Sequence, residues 1–196
     1  NALTLDWNTV APRETLSYIL GNPPFIGHHL QTSEQKADML VCFGDAKAAG
    51  VMDFVTAWYC KAADLIRGTQ INVAFVSTNS ITQGEQVGIL WRALMQKAPL
   101  SIHFAHRTFR WSNEARGVAA VYCVIIGFAA SEPASRTIYD YETPDSEPHA
   151  FPAKQINAYL VDALWVLLEN RSVNPFGVPE MMYGSKPTDG GHYLFT

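Results

Sequence analysis

Two consecutive prolines, Pro23 and Pro24, stand two residues after a short apolar run, Ser17 to Leu20. Neither can donate a ladder hydrogen bond, so a strand reaching Gly21 has to stop there. The residues around them form the tetrad Asn22-Pro23-Pro24-Phe25. With ordinary composition, an Asn-Pro-Pro-aromatic tetrad arises by chance in about one chain of this length in a thousand. The corner is stiff and rich in acceptors. The Asn22 side-chain oxygen and the Pro23 carbonyl can together accept both hydrogens of a planar amino group. That keeps the nitrogen lone pair out of its ring and aims it at an electrophile. Phe25 offers a flat face on which the ring can stack. A nucleobase held this way has to leave the duplex, because its amine is otherwise paired. On the residues alone, a Pro-Pro turn followed by a core Phe also explains the tetrad.

The pattern around the corner alternates between strand and helix. Glu34 to Lys47 reads as a helix with Ala37, Leu40 and Val41 on one face, and Gly50 breaks it. Asp53 to Arg67 reads as a second helix, with Val55, Trp58, Ala62, Leu65 and Ile66 at the spacing of one buried stripe. Ile71 to Val76 is a near-continuous apolar strand of the parallel-sheet kind. Thr82 to Glu85 fits a capping box that opens a helix burying Val87, Leu90, Trp91, Leu94 and Met95. Strands follow at Ile102 to Ala105 and Val118 to Phe128, with Asn113 to Gly117 as the turn between them. This order predicts an α/β layered fold whose last two strands are antiparallel. In open sheets of this class ligands sit at the carboxyl ends of the parallel strands, where the tetrad falls.

Composition narrows the function classes. Of 196 residues, 48% are hydrophobic and 16% charged, which excludes wholesale disorder. A net charge of −4 excludes a chain that is basic throughout. The longest apolar run, Val118 to Ala130, is interrupted by Tyr122, Cys123 and Gly127 and is too short for a membrane span. Cys42, Cys60 and Cys123 are scattered, which predicts reduced thiols in a cytoplasmic protein and no zinc site. Ser131 to Pro152 is rich in proline and acid and reads as a linker (131–155), with a possible strand at Ile138 to Tyr141.

Other residues are candidates with local explanations. Asp53 opens a helix, and N-capping accounts for it. Ser77, Thr78, Asn79 and Ser80 lie at a strand end on the same side as the tetrad and are candidate supports. His28 and His29 are adjacent and poorly placed to share a metal, so no metal is expected. Gly190-Gly191 lacks the strand and helix of a phosphate loop.

The tetrad resembles motif IV of S-adenosylmethionine-dependent amino-methyltransferases. Its surroundings resemble the MmeI-like group of DNA adenine methyltransferases, the methylase regions of single-chain restriction–modification enzymes. The matching stretches are GNPPFIG (Gly21 to Gly27), SEQKADM (Ser33 to Met39), GVMDFVTAWYCKAA (Gly50 to Ala63), AFVSTNSITQGEQV (Ala74 to Val87), FAHRTFRW-NEARG (Phe104 to Gly117) and VIIGF (Val124 to Phe128). The resemblance implies that residues 1–130 are the C-terminal half of a class I, Rossmann-like methyltransferase sheet with an antiparallel last strand. It gives Asn22, Pro23, Pro24 and Phe25 the task of gripping and stacking a flipped adenine. It makes Phe109 the first choice and Trp111 the second for the far wall of the base pocket, on an aromatic loop after the penultimate strand. His106, Arg107 and Arg110 are candidate phosphate contacts. The resemblance also implies a cofactor-proximal segment near Asp53 and so a supporting role for it.

The family's Gly-rich cofactor turn and the acidic residue after its second strand have no counterpart in the 21 residues before the tetrad. The expectation is therefore a piece of a longer chain that binds S-adenosylmethionine poorly by itself. Most of the cofactor site is expected upstream, and residues 156–196 are expected to open a target-recognition region. The implied partners are duplex DNA with a flipped adenine and the target-recognition and nuclease domains of the parent chain. Two rivals stand beside this reading: a protein-glutamine or RNA amino-methyltransferase, and a catalytically inactive DNA-binding module.

Overall fold

A computed structural model describes residues 1–111 and 121–168. After a single-turn helix α1 (Trp7–Val10), the chain enters strand β1 (Tyr18–Gly21), which ends at the prolines. Helix α2 (Ser33–Phe43) is opened by Thr32, whose side chain forms a capping box with Gln35. The single helix expected to Lys47 is two. Gly44, at φ 69°, takes the left-handed conformation that ends α2, and Asp45 caps a short α3 (Ala46–Ala49). The apolar face read on α2 is not its buried one: Met39 is buried, whereas Val41 is 82% exposed.

Helix α4 (Thr56–Ile66) buries more than a stripe, since Tyr59, Cys60 and Ala63 are covered along with Ala62 and Ile66. Strand β2 (Asn72–Thr78) leads to α5 (Gly84–Lys97), which buries Val87, Leu90, Trp91 and Leu94 as expected, with Met95 half-buried. The predicted capping box at its start does not form; the Thr82 hydroxyl donates instead to the Asn79 carbonyl at 2.8 Å. Strands β3 (Ser101–Trp111) and β4 (Val121–Ala129) follow, and β3 runs six residues beyond the expected Ala105. The turn expected at Asn113 to Gly117 lies outside the described residues.

The expected linker carries two more strands, β5 (Arg136–Asp140) and β6 (His149–Ala153). The six strands form one sheet in the order β1-β2-β4-β3-β5-β6. Pro152 is tolerated because β6 is the edge strand. Residues 156–168 pack onto the same core. Ile156, Ala158 and Leu160 are buried in the common one, and Trp165 packs edge-on against Trp91 at 5.2 Å.

Strand β1 is parallel to β2, and β4 is antiparallel to both β2 and β3, as the sequence predicts for the last pair. Strand β3 therefore points the same way as β1 and β2, and the three open their carboxyl ends on one edge. Contrary to the parallel-type reading, β2 has one neighbour of each kind, and its residues alternate between buried and half-buried. One sheet face is fully covered: Val73, Phe75, Ile126 and Phe128 lie under Tyr59 of α4 and Trp91 of α5. The opposite face, with Ala74, Val76, Phe104 and His106, is only half-buried among the described residues. There Gly127 is required, because a Cβ on it would fall 2.1 Å from the Phe104 ring.

Candidate active site

The tetrad emerges at the carboxyl end of β1. Asn22 and Pro24 are exposed, Pro23 is buried, and Phe25 is half-buried against the core. The Asn22 carboxamide has no hydrogen-bond partner among the described residues. The fold thus holds the backbone of the corner from behind through Pro23 and leaves the amide to solvent.

The loop after Phe25 is sewn to the segment that precedes α4. The Phe54 amide donates to the Ile26 carbonyl at 2.8 Å, and the Gln31 side chain donates to the Met52 carbonyl at 2.9 Å. Between these two stitches lies Asp53, 7% exposed. Asp53 does not cap α4: the cap position is Val55, with no side-chain bond. Its carboxylate is turned toward the end of β2 instead. It accepts from the Ser80 hydroxyl, from Thr78 Oγ1 at 3.2 Å and from Gln86 Nε2 at 3.4 Å. Gln86 in turn accepts from the Asp53 backbone amide at 3.1 Å. On the side of the tetrad loop, Asp53 Oδ1 lies 4.0 Å from His28 Nδ1. No Lys or Arg pairs with this carboxylate among the described residues.

Three of the four supports read at the end of β2 divide accordingly. Thr78 and Ser80 face Asp53, whereas Ser77 is fully buried, bonded to the Tyr59 hydroxyl at 2.7 Å. Burial pushes the Tyr59 hydroxyl well above its ordinary range, so it stays protonated.

The far end of the same edge is aromatic. Phe109 and Trp111 lie on β3 itself rather than on a loop, with ring centres 6.2 Å apart. Phe109 stacks on Tyr141 at 5.4 Å. His106 stacks on Tyr139 at 4.2 Å and shares a 2.8 Å hydrogen bond with the Tyr141 hydroxyl. Burial lowers the His106 pKa, which favours the neutral ring. Arg107 pairs with Asp140 at 2.9 Å and Arg110 with Asp145 at 3.4 Å, so both candidate phosphate contacts already have carboxylate partners. From β1 through β2 and β4 to β3 is three inter-strand steps, about 14 Å. The sequence missed Asp53 as a joint, and no local signal marks it, because its partners lie 25 to 33 residues away.

A parallel-strand edge bearing an unpartnered Asn-Pro-Pro-Phe corner, with an antiparallel strand inserted beside β2, defines the second half of a class I methyltransferase sheet. The family described as the MmeI DNA-methyltransferase domain matches residues 1–140, and the chain belongs to it. The whole chain is 38% identical over 198 aligned residues to DNA methyltransferase A of Bacillus subtilis (strain 168), of which it spans 22%. It superposes with a TM-score of 0.92, at 52% identity, on the Type IIL restriction-modification enzyme MmeI solved in complex with DNA, covering 26% of that chain. The type IIG restriction endonuclease BpuSI shares the fold, with a TM-score of 0.51 and 14% identity over 74% of this chain and 17% of its own. The chain thus spans about a quarter of the length of the relatives it matches.

Proposed function

We propose that this chain is the catalytic half of a site-specific DNA adenine N6-methyltransferase within a longer cytoplasmic restriction–modification polypeptide. The observation that carries the reading is the exposed Asn22 carboxamide, without a partner among the described residues, beside a half-buried Phe25 at the carboxyl end of a parallel strand. In this reading Asn22 Oδ1 and the Pro23 carbonyl accept the two hydrogens of the adenine 6-amino group. That localises the nitrogen lone pair, and Phe25 stacks on the extruded base. Pro24 fixes the corner. Phe109, with Trp111 behind it, is the far wall of the cleft.

S-adenosylmethionine, when bound, supplies the methyl group as a sulfonium. The acceptors of the corner and the Asp53 carboxylate, with which no Lys or Arg pairs among the described residues, fit a positively charged neighbour. The Gly-rich turn that would hold the cofactor is not found in this sequence, and we assign it, with the acidic ribose contact, to the preceding part of the polypeptide. What this chain contributes is alignment of the amine, and alignment by itself can supply several kcal/mol of rate enhancement. No general base is needed, because the amine loses its proton after transfer. In this reading residues 156–196 open the target-recognition region, and any nuclease belongs to another part of the polypeptide.

The test is a labelled-methyl assay of the full polypeptide on DNA, RNA and protein, followed by identification of the product. Label in N6-methyladenine of duplex DNA is the expected result. Label in protein glutamine or in RNA would transfer the chain to the rival enzyme class. No label, with DNA binding intact, would favour an inactive binding module.

A further inference from the structure

Asp53 accepts side-chain hydrogen bonds from Thr78, Ser80 and Gln86 and lies between the two bonds that hold the tetrad loop. Burying an ionised carboxylate is costly unless it is hydrogen-bonded, and three neutral donors meet that cost here. Two of those donors come from the end of β2 and the third from α5. The carboxylate also fills the space behind the tetrad loop: a Cβ on Gly27 would lie 3.8 Å from Asp53 Oδ1, and His28 Nδ1 lies 4.0 Å away. Its neighbours Met52 and Phe54 bind the loop at both ends through Gln31 and Ile26.

We propose that Asp53 is a positioning residue for methyl transfer: by joining the loop after Phe25 to the Thr78-Ser80 end of β2 and to Gln86 of α5, it sets the attitude in which Asn22 and Phe25 meet the extruded base. The inference rests on the base-holding role proposed for the tetrad and adds a residue that does not touch the base. The β2 end takes part through its side chains, since the Ser80 hydroxyl bonds both Asp53 and Thr78 Oγ1. A shift of the carboxylate therefore moves three segments at once.

The test uses the full polypeptide with Asp53→Asn, which keeps the shape but removes the charge and replaces one of the two acceptor oxygens with an NH2 donor, so that Gln86 or the Thr78-Ser80 pair loses its acceptor. The double variant Thr78→Val/Ser80→Ala leaves the carboxylate and removes its partners. Both are assayed for kcat and for KM toward DNA, and for the fluorescence of 2-aminopurine placed at the methylated adenine. The expected result is a fall in kcat of about 100-fold, the scale of a misplacement near 1 Å. KM for DNA should stay within about threefold of wild type. The 2-aminopurine signal should rise, because a flipped base no longer flush on Phe25 is less quenched. Should Asp53→Asn fail to fold, the double variant carries the test.

Wild-type kcat and an unchanged 2-aminopurine signal in a folded variant would overturn the inference. So would a loss of kcat that only tracks the loss of folded protein in a thermal melt. Asn22→Ala and Phe25→Ala are run alongside. If they are inactive while the Asp53 variants are normal, this inference alone has failed. If they too are fully active, the base-holding reading has failed with it.

Discussion

At the carboxyl end of β1 the Asn22 carboxamide is exposed and without a partner among the described residues, and the polar groups behind it bond one another around Asp53. At the carboxyl end of β3 the polar and aromatic groups meet each other: His106 with Tyr139 and Tyr141, Phe109 with Tyr141, Arg107 with Asp140, Arg110 with Asp145. Both ends lie on one edge of one sheet, and both are rich in groups that can contact a base or a phosphate. Only the first leaves its acceptors unused while holding their backbone in place. A group already satisfied inside the fold has to give up a partner before it can hold a ligand, which costs about what a hydrogen bond contributes. The comparison separates residues that are presented from residues that are merely near.

Four outcomes would sharpen or break this contrast. The largest concerns Phe25 against Phe109. Phe25→Ala in the full polypeptide is expected to lower kcat about 10- to 100-fold, since base–aromatic stacking is worth about 1–3 kcal/mol. Phe109→Ala is expected to cost less. Steady-state methylation rates decide, and the reverse ranking would move the base pocket to β3. Next is Gly127→Ala, which would drive a methyl into the Phe104 ring and is expected to cost about 1–3 kcal/mol of stability in urea unfolding. Removing the ring as well, in Phe104→Ala/Gly127→Ala, should return part of it.

A smaller effect follows from His106, whose folded pKa is depressed by burial. The unfolded chain then takes up its proton first as the pH drops, so the site is most stable above about pH 6.5 and loses stability as the pH falls below it. A His106→Gln variant should show a shallower acid-side loss of melting temperature. The smallest concerns Arg107→Ala and Arg110→Ala. Their exposed ion pairs are worth less than about 1 kcal/mol to stability. If carboxylates hold both guanidiniums, the salt dependence of DNA affinity should not change. A drop in the log–log slope of about one unit per variant would make them phosphate contacts after all.

What could be read in advance followed locality. The stop at Gly21, the existence of helical segments after it and the antiparallel last pair come from prolines, glycines and apolar spacing within a few residues, whereas the break at Gly44 and the buried face of α2 do not. The exposure of Asn22 and Pro24 followed from their place at a strand end. The strands at Arg136–Asp140 and His149–Ala153 were hidden because proline and acid resemble a linker until β3 supplies an edge for pairing. Arg107 and Arg110 looked free because Asp140 and Asp145 come beside them only through β5 and the loop after it. Asp53 was hidden in a different way. Its position before a helix already had a sufficient explanation in capping, and its actual partners assemble only when β2, α5 and the tetrad loop converge. The double-Trp contact of Trp91 with Trp165 was missed for the same reason, since an apolar segment outside the regular elements gives no periodicity to read.

The account stands on Asn22 as an acceptor for an amine. The most direct test is the methylation rate of Asn22→Ala and Asn22→Asp in the full polypeptide, measured beside their DNA affinities. Asn22→Ala should lose at least about 100-fold in rate, the scale of removing a group aimed at the reacting atoms, with DNA affinity retained. Asn22→Asp keeps an oxygen to receive the amine hydrogen and should retain measurable transfer to adenine. An Asn22→Ala protein that methylates the same adenine at the wild-type rate would contradict the account.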